Sequence, residues 1–533
     1  MKRLLFEVHR WTGIVLALFM TLWFATGVVI LYAGYTPQNR LQQQAHADAL
    51  TPESGWLSLG QAWSRSAEQR KDSAKEAGKA DGKDSAGVPV EARLIRQNNE
   101  PIWLTETDKG QRYALSARDG SLLSTDADEA VAIAQQWIAH EPDLEKSQAR
   151  YLETLDKTSL VRNLDDYKPF HRIALDDSAG TQLFVSAKTG EVVNVSTRLQ
   201  RGMMWVGNWL HLFRPIESLG GTNDNRRDVL LWFAGFTVLA TLTGLIIGWL
   251  RWRPSWGRKP TYSEGRTQPY RAFWFKWHFW AGLIGGTVAL TWAISGFLNG
   301  NPWQIFSPAN PTKPELARFY GGNLPKAIAD WKPASATVPD GVVELAWRRI
   351  GDQAALLAVS RDGNRTPLTV DGAVTGFDQA ALKAAGSRLG KGSEIATIQV
   401  LNDYDSYYYP RHGRGLADRP LPVVQVDLAD AGHNRLYIDP ADGRLLLKQD
   451  DSRRAFRWLF NALHYWDFGW LYQRPLWDAW SLTWIGFGLM LSVSSVVIGW
   501  RRLKNTFRAK KPKTAAIPAG KSPEPQLATE SAT

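Results

Sequence analysis

Four long apolar runs interrupt an otherwise polar chain, at residues 4–32, 229–250, 273–298 and 477–500. Each is about 20 residues or longer, enough to cross a ~30 Å hydrocarbon core as a helix. The first is too long for a signal peptide and lacks an A-x-A cleavage site, so it reads as a retained anchor. Two long segments of soluble character lie between the runs. "YALSARDGSLL" (113–123), "LFVSAKTGEVV" (183–193) and "LYIDPADGRLL" (436–446) each place two short apolar strands around a Gly-containing turn, the pattern of a β-hairpin. "DEAVAIAQQWIAHEP" and "GVVELAWRRIGDQA" have helical spacing. Residues 64–87 are charged, rich in Gly and Ala, and predict a disordered insertion.

The predicted fold class is an α+β membrane protein with four transmembrane helices in two tandem repeats, each with an extracytoplasmic α+β domain. In chain order the segments are helix 1 (1–32), a first outer domain (33–200) and an interfacial helix leading into helix 2 (201–250). A basic loop (251–272), helix 3 (273–298) and a second outer domain (299–453) follow. The chain ends with an interfacial helix and helix 4 (454–502), then a tail (503–533) expected to be disordered.

Charge orients this plan. The stretch before the first run, residues 251–277 and residues 501–513 carry two, six and seven net positive charges, against +11 for the whole chain. The remainder is therefore net acidic. Positive flanks stay in the cytoplasm, so both termini and the middle loop are placed inside and the two large segments outside, in the periplasm of a Gram-negative cell. The basic balance follows from topology and gives no reason to invoke nucleic acid. The chain has no cysteine, which excludes iron–sulfur clusters, covalent haem attachment through C-x-x-C-H and thiolate zinc sites. No G-x-G-x-x-G follows a strand, so no nicotinamide domain is visible.

The two halves repeat. At an offset of 269, Phe6, His9, Trp11, Gly13, Trp23 and Gly27 fall on Phe275, His278, Trp280, Gly282, Trp292 and Gly296. At 253, Arg201, Trp205, Asn208, Leu210 and His211 fall on Arg454, Trp458, Asn461, Leu463 and His464. At 251, Gly248, Trp249 and Arg251 fall on Gly499, Trp500 and Arg502. Of nine histidines, only His9, His211, His278 and His464 sit at matched positions bordering the apolar runs.

On a helical wheel His9 shares a face with Gly13, Trp23 and Gly27, and His278 shares one with Gly282, Gly285, Trp292 and Gly296. Glycine one turn from histidine leaves a flat space beside an imidazole, which a porphyrin needs, although small residues also serve helix packing. Ionisable residues at membrane depth usually mark function. His9 and His278 begin outward-going helices and lie near the inner face; His211 and His464 precede inward-going helices and lie near the outer face. Partners therefore come from different repeats: His9 with His278, and His211 with His464. Two axial histidines per site suit a non-covalent haem iron, and two haems at two depths form a path for electrons. Packing roles, zinc binding and proton relay are the competing readings of these histidines. The tryptophans read first as headgroup anchors. "DYDSYYYPRHGR" (403–414) reads as a tyrosine-rich strand and turn, with ferric-iron contact as the sharper alternative. No Ser–His–Asp or H-E-x-x-H arrangement emerges, and Asp165 and Asp166 read as solvated loop residues.

"VHRWTG" with its echo "WHFWAG", the T-G and D-G hairpins, and "WLFNALHYWDFGWLYQRPLWD" resemble the PepSY-associated transmembrane helix family, across nearly the whole chain apart from 64–87 and the tail. That resemblance implies PepSY-like outer domains, four membrane helices and two b-type haems. The family includes inner-membrane reductases of ferric siderophores, ferripyoverdine among them. Its membrane histidines carry over onto His9, His211, His278 and His464. The expected function is haem-dependent reduction of a ferric siderophore in the periplasm to release iron. The implied partners are the ferric siderophore, an electron donor (quinol or a cytoplasmic reductase), the lipid bilayer and periplasmic iron-uptake proteins. The alternative is a non-enzymatic, membrane-tethered PepSY binding or assembly protein.

Overall fold

The computed structural model describes all residues except 1, 34–36, 77–86, 157, 159, 162–163, 258, 412–417, 472 and 509–533. The four apolar runs are helices, Lys2–Tyr32, Asn223–Arg251, Phe273–Asn299 and Leu476–Arg508. All four are long and apolar enough to cross a membrane. The first packs on the second and fourth, and the third packs on the same two. The first and third, which carry His9 and His278, thus lie across the bundle from one another. Close approach needs small residues: a Cβ on Gly285 would stand 2.6 Å from Phe487 Cβ. Outward-facing tryptophans such as Trp11, Trp232, Trp249 and Trp500 are exposed, as headgroup anchors are. The fourth helix continues to Arg508, so residues 503–508, expected within a disordered tail, are helical; the tail from 509 lies outside the described residues.

The strands run in chain order β1 (Pro89–Gln97), β2 (Glu100–Thr107), β3 (Arg112–Ser116), β4 (Leu122–Leu123), β5 (Ala149–Leu155), β6 (Phe170–Leu175), β7 (Gln182–Ser186), β8 (Val192–Ser196), β9 (Val342–Ile350), β10 (Gln353–Ser360), β11 (Arg365–Pro367), β12 (Ala373–Val374), β13 (Ile395–Leu401), β14 (Val423–Leu428), β15 (Arg435–Ile438) and β16 (Leu445–Gln449). All three predicted hairpins form, as β3–β4, β7–β8 and β15–β16. The sheets β5–β6–β7–β8 and β13–β14–β15–β16 are antiparallel meanders. Each packs one helix, Ala127–Ile138 and Gln379–Leu389 respectively.

The third sheet was not legible in the sequence. Its order is β11–β10–β9–β1–β2–β3–β4, with β12 beside β10. Segments 33–200 and 299–453, read from the sequence as separate domains, are joined by it through antiparallel β1–β9 pairing, with Ala92 opposite Trp347 and Leu94 opposite Leu345. One face buries Leu94, Trp103, Leu115, Leu345, Trp347 and Leu356 in a common core. "GVVELAWRRIGDQA" is therefore β9, a turn at Gly351 (φ +59°) and β10 rather than a helix. Its charges are not solvated: Glu344 and Arg349 are only 2 % exposed.

These charges pair across the joined sheet. Arg40 donates to Glu91 at 2.8 Å and to Glu344 at 2.5 Å. Arg93 donates to Glu191 at 2.5 Å and stands 3.7 Å from Glu344. Arg348 also donates to Glu91. Burial by itself raises the Glu91 carboxyl, but Arg348, Arg40 and Arg93 outweigh it and hold the group well below the usual carboxylate range. Glu191 is likewise held low, burial being outweighed by Arg93 and Arg112.

A second correction concerns 64–87. Residues Ala67–Glu76 are helical, because Arg70 gives that segment an anchor. Its guanidinium lies 3.3 Å from the Trp63 ring centroid and donates to Ser66 Oγ and the Trp63 carbonyl. Residues 77–86 lie outside the described residues. The 403–414 tract is irregular rather than a strand through its described part. Tyr408 is buried and stacks on Tyr437 at 5.1 Å between ring centres. His412 lies outside the described residues.

Candidate functional site

The four repeat-matched histidines separate into two pairs, as their depths predict. His9 and His278 face each other with ring centroids 6.2 Å apart. His211 and His464 line one cavity of about 360 Å³ between the helices. Gly27, Gly296, Trp23 and Trp292, the wheel neighbours of His9 and His278, line this cavity instead. They lie about four to five turns along the first and third helices from those histidines. His211 and His464 reach the cavity from a shared local design. Each follows a one-turn π-helix, Trp205–Leu210 and Arg457–Ala462, a form that recurs at functional sites.

The partners of the cavity pair match residue for residue at the repeat offsets. Trp23 Nε1 donates to the His211 carbonyl at 3.2 Å, and Trp292 Nε1 donates to the His464 carbonyl at 3.0 Å. His211 Nδ1 lies 3.0 Å from Thr26 Oγ1, and His464 Nδ1 lies 2.9 Å from Ser295 Oγ. At the other pair, His9 Nδ1 lies 3.0 Å from the Ala240 carbonyl. His278 Nδ1 lies 3.1 Å from Ser494 Oγ and 3.3 Å from Ser495 Oγ.

These contacts favour one tautomer. A carbonyl only accepts, so His9 donates from Nδ1. The Thr26, Ser295, Ser494 and Ser495 hydroxyls already donate to backbone carbonyls of their own helices. With those hydroxyl protons directed at carbonyls, the arrangement favours a proton at Nδ1 of the other three rings as well. Nε2 is then the nitrogen open to a metal. An imidazole tied through Nδ1 and free at Nε2 is oriented as metal-ligating histidines are. Burial pushes the His211 imidazole down to about 4. His464 falls to about 3, from burial with His211 adding to it. Both stay neutral near pH 7, the form that can ligate.

What such pairs can hold follows from their number and spacing. Among the described residues, no group of three or more His, Cys, Asp or Glu side chains converges on a metal position. A structural zinc site needs about four protein ligands, so the zinc reading has no ligand set there. Two imidazoles suit a metal whose other ligands come from a macrocycle, as those of haem iron do. Metal–nitrogen bonds of ~2.0 Å on opposite sides put two imidazole centroids about 6 Å apart, which matches the His9–His278 spacing. Space beside the rings is kept by glycine. A Cβ on Gly244 would stand 2.6 Å from His9 Cε1, whereas Gly13 and Gly27 face open space. Gly282 and Gly285 instead meet Leu491 and Phe487 of the fourth helix, so those two serve packing.

If the two pairs hold haem, Gly244→Val is expected to displace the His9 ring and cut haem bound per purified chain by up to about half. Gly248→Ala, one turn on and with only ordinary contact to Leu283, leaves it unchanged. A pyridine haemochrome assay reads both.

Of the remaining histidines, the described ones have local roles. His46 stacks on Trp137 and pairs with Glu141. His140 pairs with Asp48 and His433 with Asp451. His171 bonds Thr154 and the Thr125 carbonyl. The sequence analysis missed Thr26, Ser295, Ala240, Gly244, Ser494 and Ser495. Thr26 and Ser295 carried a usable signal: at the 269 offset they are matched hydroxyls inside apolar runs, each just before a matched glycine.

A search of curated proteins finds no match. Comparison with protein families matches residues 6–340, more than half of the chain, to the PepSY-associated TM region. The match includes His9, His211 and His278. The chain is a multi-pass membrane protein and belongs to the PepSY-associated transmembrane family.

Proposed function

We propose that this protein is an inner-membrane di-haem electron-transfer protein that reduces a ferric siderophore in the periplasm. The observation that carries the reading is the common setting of the four matched histidines: each has Nδ1 against a helix carbonyl or hydroxyl, and His9 and His278 bring their ring centroids within 6.2 Å. His9 and His278 would hold one b-type haem, His211 and His464 the other. Bound there, haem supplies reversible one-electron chemistry.

The chain's own residues do the rest. Ala240, Ser494 and Ser495 orient the first pair; Thr26 and Ser295 orient the second. The apolar bundle keeps water from both. Lys2, Arg3, Arg251, Arg253, Arg501 and Arg502 cluster at one end of the helices, as cytoplasmic flanks do, which supports a periplasmic position for the three sheets. The electron donor is a quinol or a cytoplasmic reductase. One electron added to siderophore-bound Fe(III) gives Fe(II), for which hard oxygen donors are a poorer match, so the metal is released.

The test is a single-turnover experiment. Purified protein is reduced, freed of reductant, and mixed with a ferric siderophore in the presence of an Fe(II)-specific chelator. Reoxidation of the haem bands should keep pace with formation of the Fe(II) complex. A pigmented protein that stays reduced would contradict the substrate assignment. A colourless protein would leave the tethered binding protein as the reading.

A further inference from the structure

The cavity between His211 and His464 has two unlike walls. Toward the first and second helices it is largely apolar, with Met20, Phe24, Leu31, Leu230 and Ala234, and Thr237 there spends its hydroxyl on the Phe233 carbonyl. Toward the fourth helix it carries polar groups, and two of them have nothing to bond. Ser481 is 2 % exposed, and its Oγ has no partner among the described residues. Trp466 Nε1 is buried and equally unpartnered. Both residues line the cavity. A buried donor without a partner is destabilising, and such groups in native proteins call for an explanation.

Ser481 makes the point sharply. Thr483, on the same helix, satisfies its hydroxyl on the carbonyl four residues back, at 2.7 Å, but Ser481 does not. Cationic groups stand behind this wall. Arg411 lies over the Tyr465 ring at 4.8 Å and Arg474 over the Trp477 ring at 5.3 Å, and both rings line the cavity. Each arginine already pairs with one carboxylate, Asp467 or Asp478. The donors left over are therefore the neutral ones.

We infer that Trp466 Nε1 and Ser481 Oγ seat the carboxylate edge of the tetrapyrrole held by His211 and His464, and so fix which way round it enters the cavity. The inference rests on the di-haem reading. A haem has two propionate carboxylates on one edge and only apolar substituents on the opposite edge. A cavity with orphan donors and nearby guanidiniums on one side, and methyl, thioether and phenyl groups on the other, accepts it in one orientation. Trp466 and Ser481 are positioning residues, and their effect should be confined to one of the two haems.

The test uses the full-length protein in detergent, with Ser481→Ala and Trp466→Phe. Resonance Raman spectra should show the propionate bending band of one haem shifted and that of the other unchanged. The affected haem should be lost severalfold faster to apomyoglobin. As a second arm, apoprotein is reconstituted with protohaem or its dimethyl ester; the ester should fill the His9–His278 site and fill the other poorly. Unchanged bands with unchanged retention, or equal uptake of ester and protohaem at both sites, would overturn the inference while leaving the haem reading intact. A colourless wild-type protein would overturn both.

Discussion

Replacing His278 with alanine should leave a protein with one haem where the parent has two, and removing His9 as well should cost nothing further. The two rings face one another at 6.2 Å between centroids, so each variant destroys the same site. Loss within a pair is non-additive, and loss between pairs is additive. His9→Ala/His278→Ala should keep about half of the Soret absorbance, as each single variant does. His278→Ala/His464→Ala should keep none. His211→Ala and His464→Ala should behave as a second matched pair, because both line the one cavity. If His9 and His211 instead failed together, the pairing by depth would be wrong. Ser295→Ala is the graded companion. It removes the acceptor for His464 Nδ1 but not the ligand, so it should weaken retention of one haem by about 10- to 100-fold without abolishing it.

Arg93→Leu should destabilise the folded sheets by about 3–5 kcal/mol. Arg93 is 5 % exposed and faces Glu191, Glu91 and Glu344, all of them buried. Removing it strands carboxylates in the sheet that joins the two chain segments. The pH dependence distinguishes this from simple loss of packing. In the parent, Glu91 and Glu191 have depressed folded pKa values. Their stabilisation is fully present above the unfolded carboxylate value, about 4.3, and is lost as pH falls through the lower folded value. Parent stability should therefore be flat from pH 7 to about 5 and fall below about 4. In the variant Glu191 keeps Arg112 but loses Arg93, so its carboxyl rises from its depressed position. The deficit should then shrink as the pH is lowered and that carboxyl protonates. Thermal unfolding of the detergent-solubilised chain across this range measures both arms. A deficit independent of pH would make Arg93 a packing residue only.

What the sequence could reveal depended on the range of the interaction. The spanning helices are local patterns of hydropathy, and the hairpins are local turns around glycine; both were legible. The histidine pairs were legible for another reason: repeated positions and charged flanks assign each ring a depth, and depth decides which rings can meet. The joined sheet was not legible, because β1 and β9 are about 250 residues apart and no local pattern announces their pairing. The same gap hid the partners of Glu344, Arg348 and Arg349, since Arg40, Glu91 and the Pro89 carbonyl come from the other half of the chain. Arg70 looked like part of a charged linker until Trp63 was found beneath it. Gly282 and Gly285, read from the wheel as either haem space or packing, meet Leu491 and Phe487 of the fourth helix and show the limit of a helical wheel. It assigns a face but not the neighbour.

The central claim is that imidazoles from the two halves of the chain converge in pairs on iron porphyrins. The pyridine haemochrome content of purified, full-length protein, read together with its low-temperature electron paramagnetic resonance spectrum, tests this most directly. Two haems per chain with low-spin ferric signals of bis-histidine ligation are expected. A chain that binds no haem, or binds it high-spin with a single axial histidine, would contradict the account.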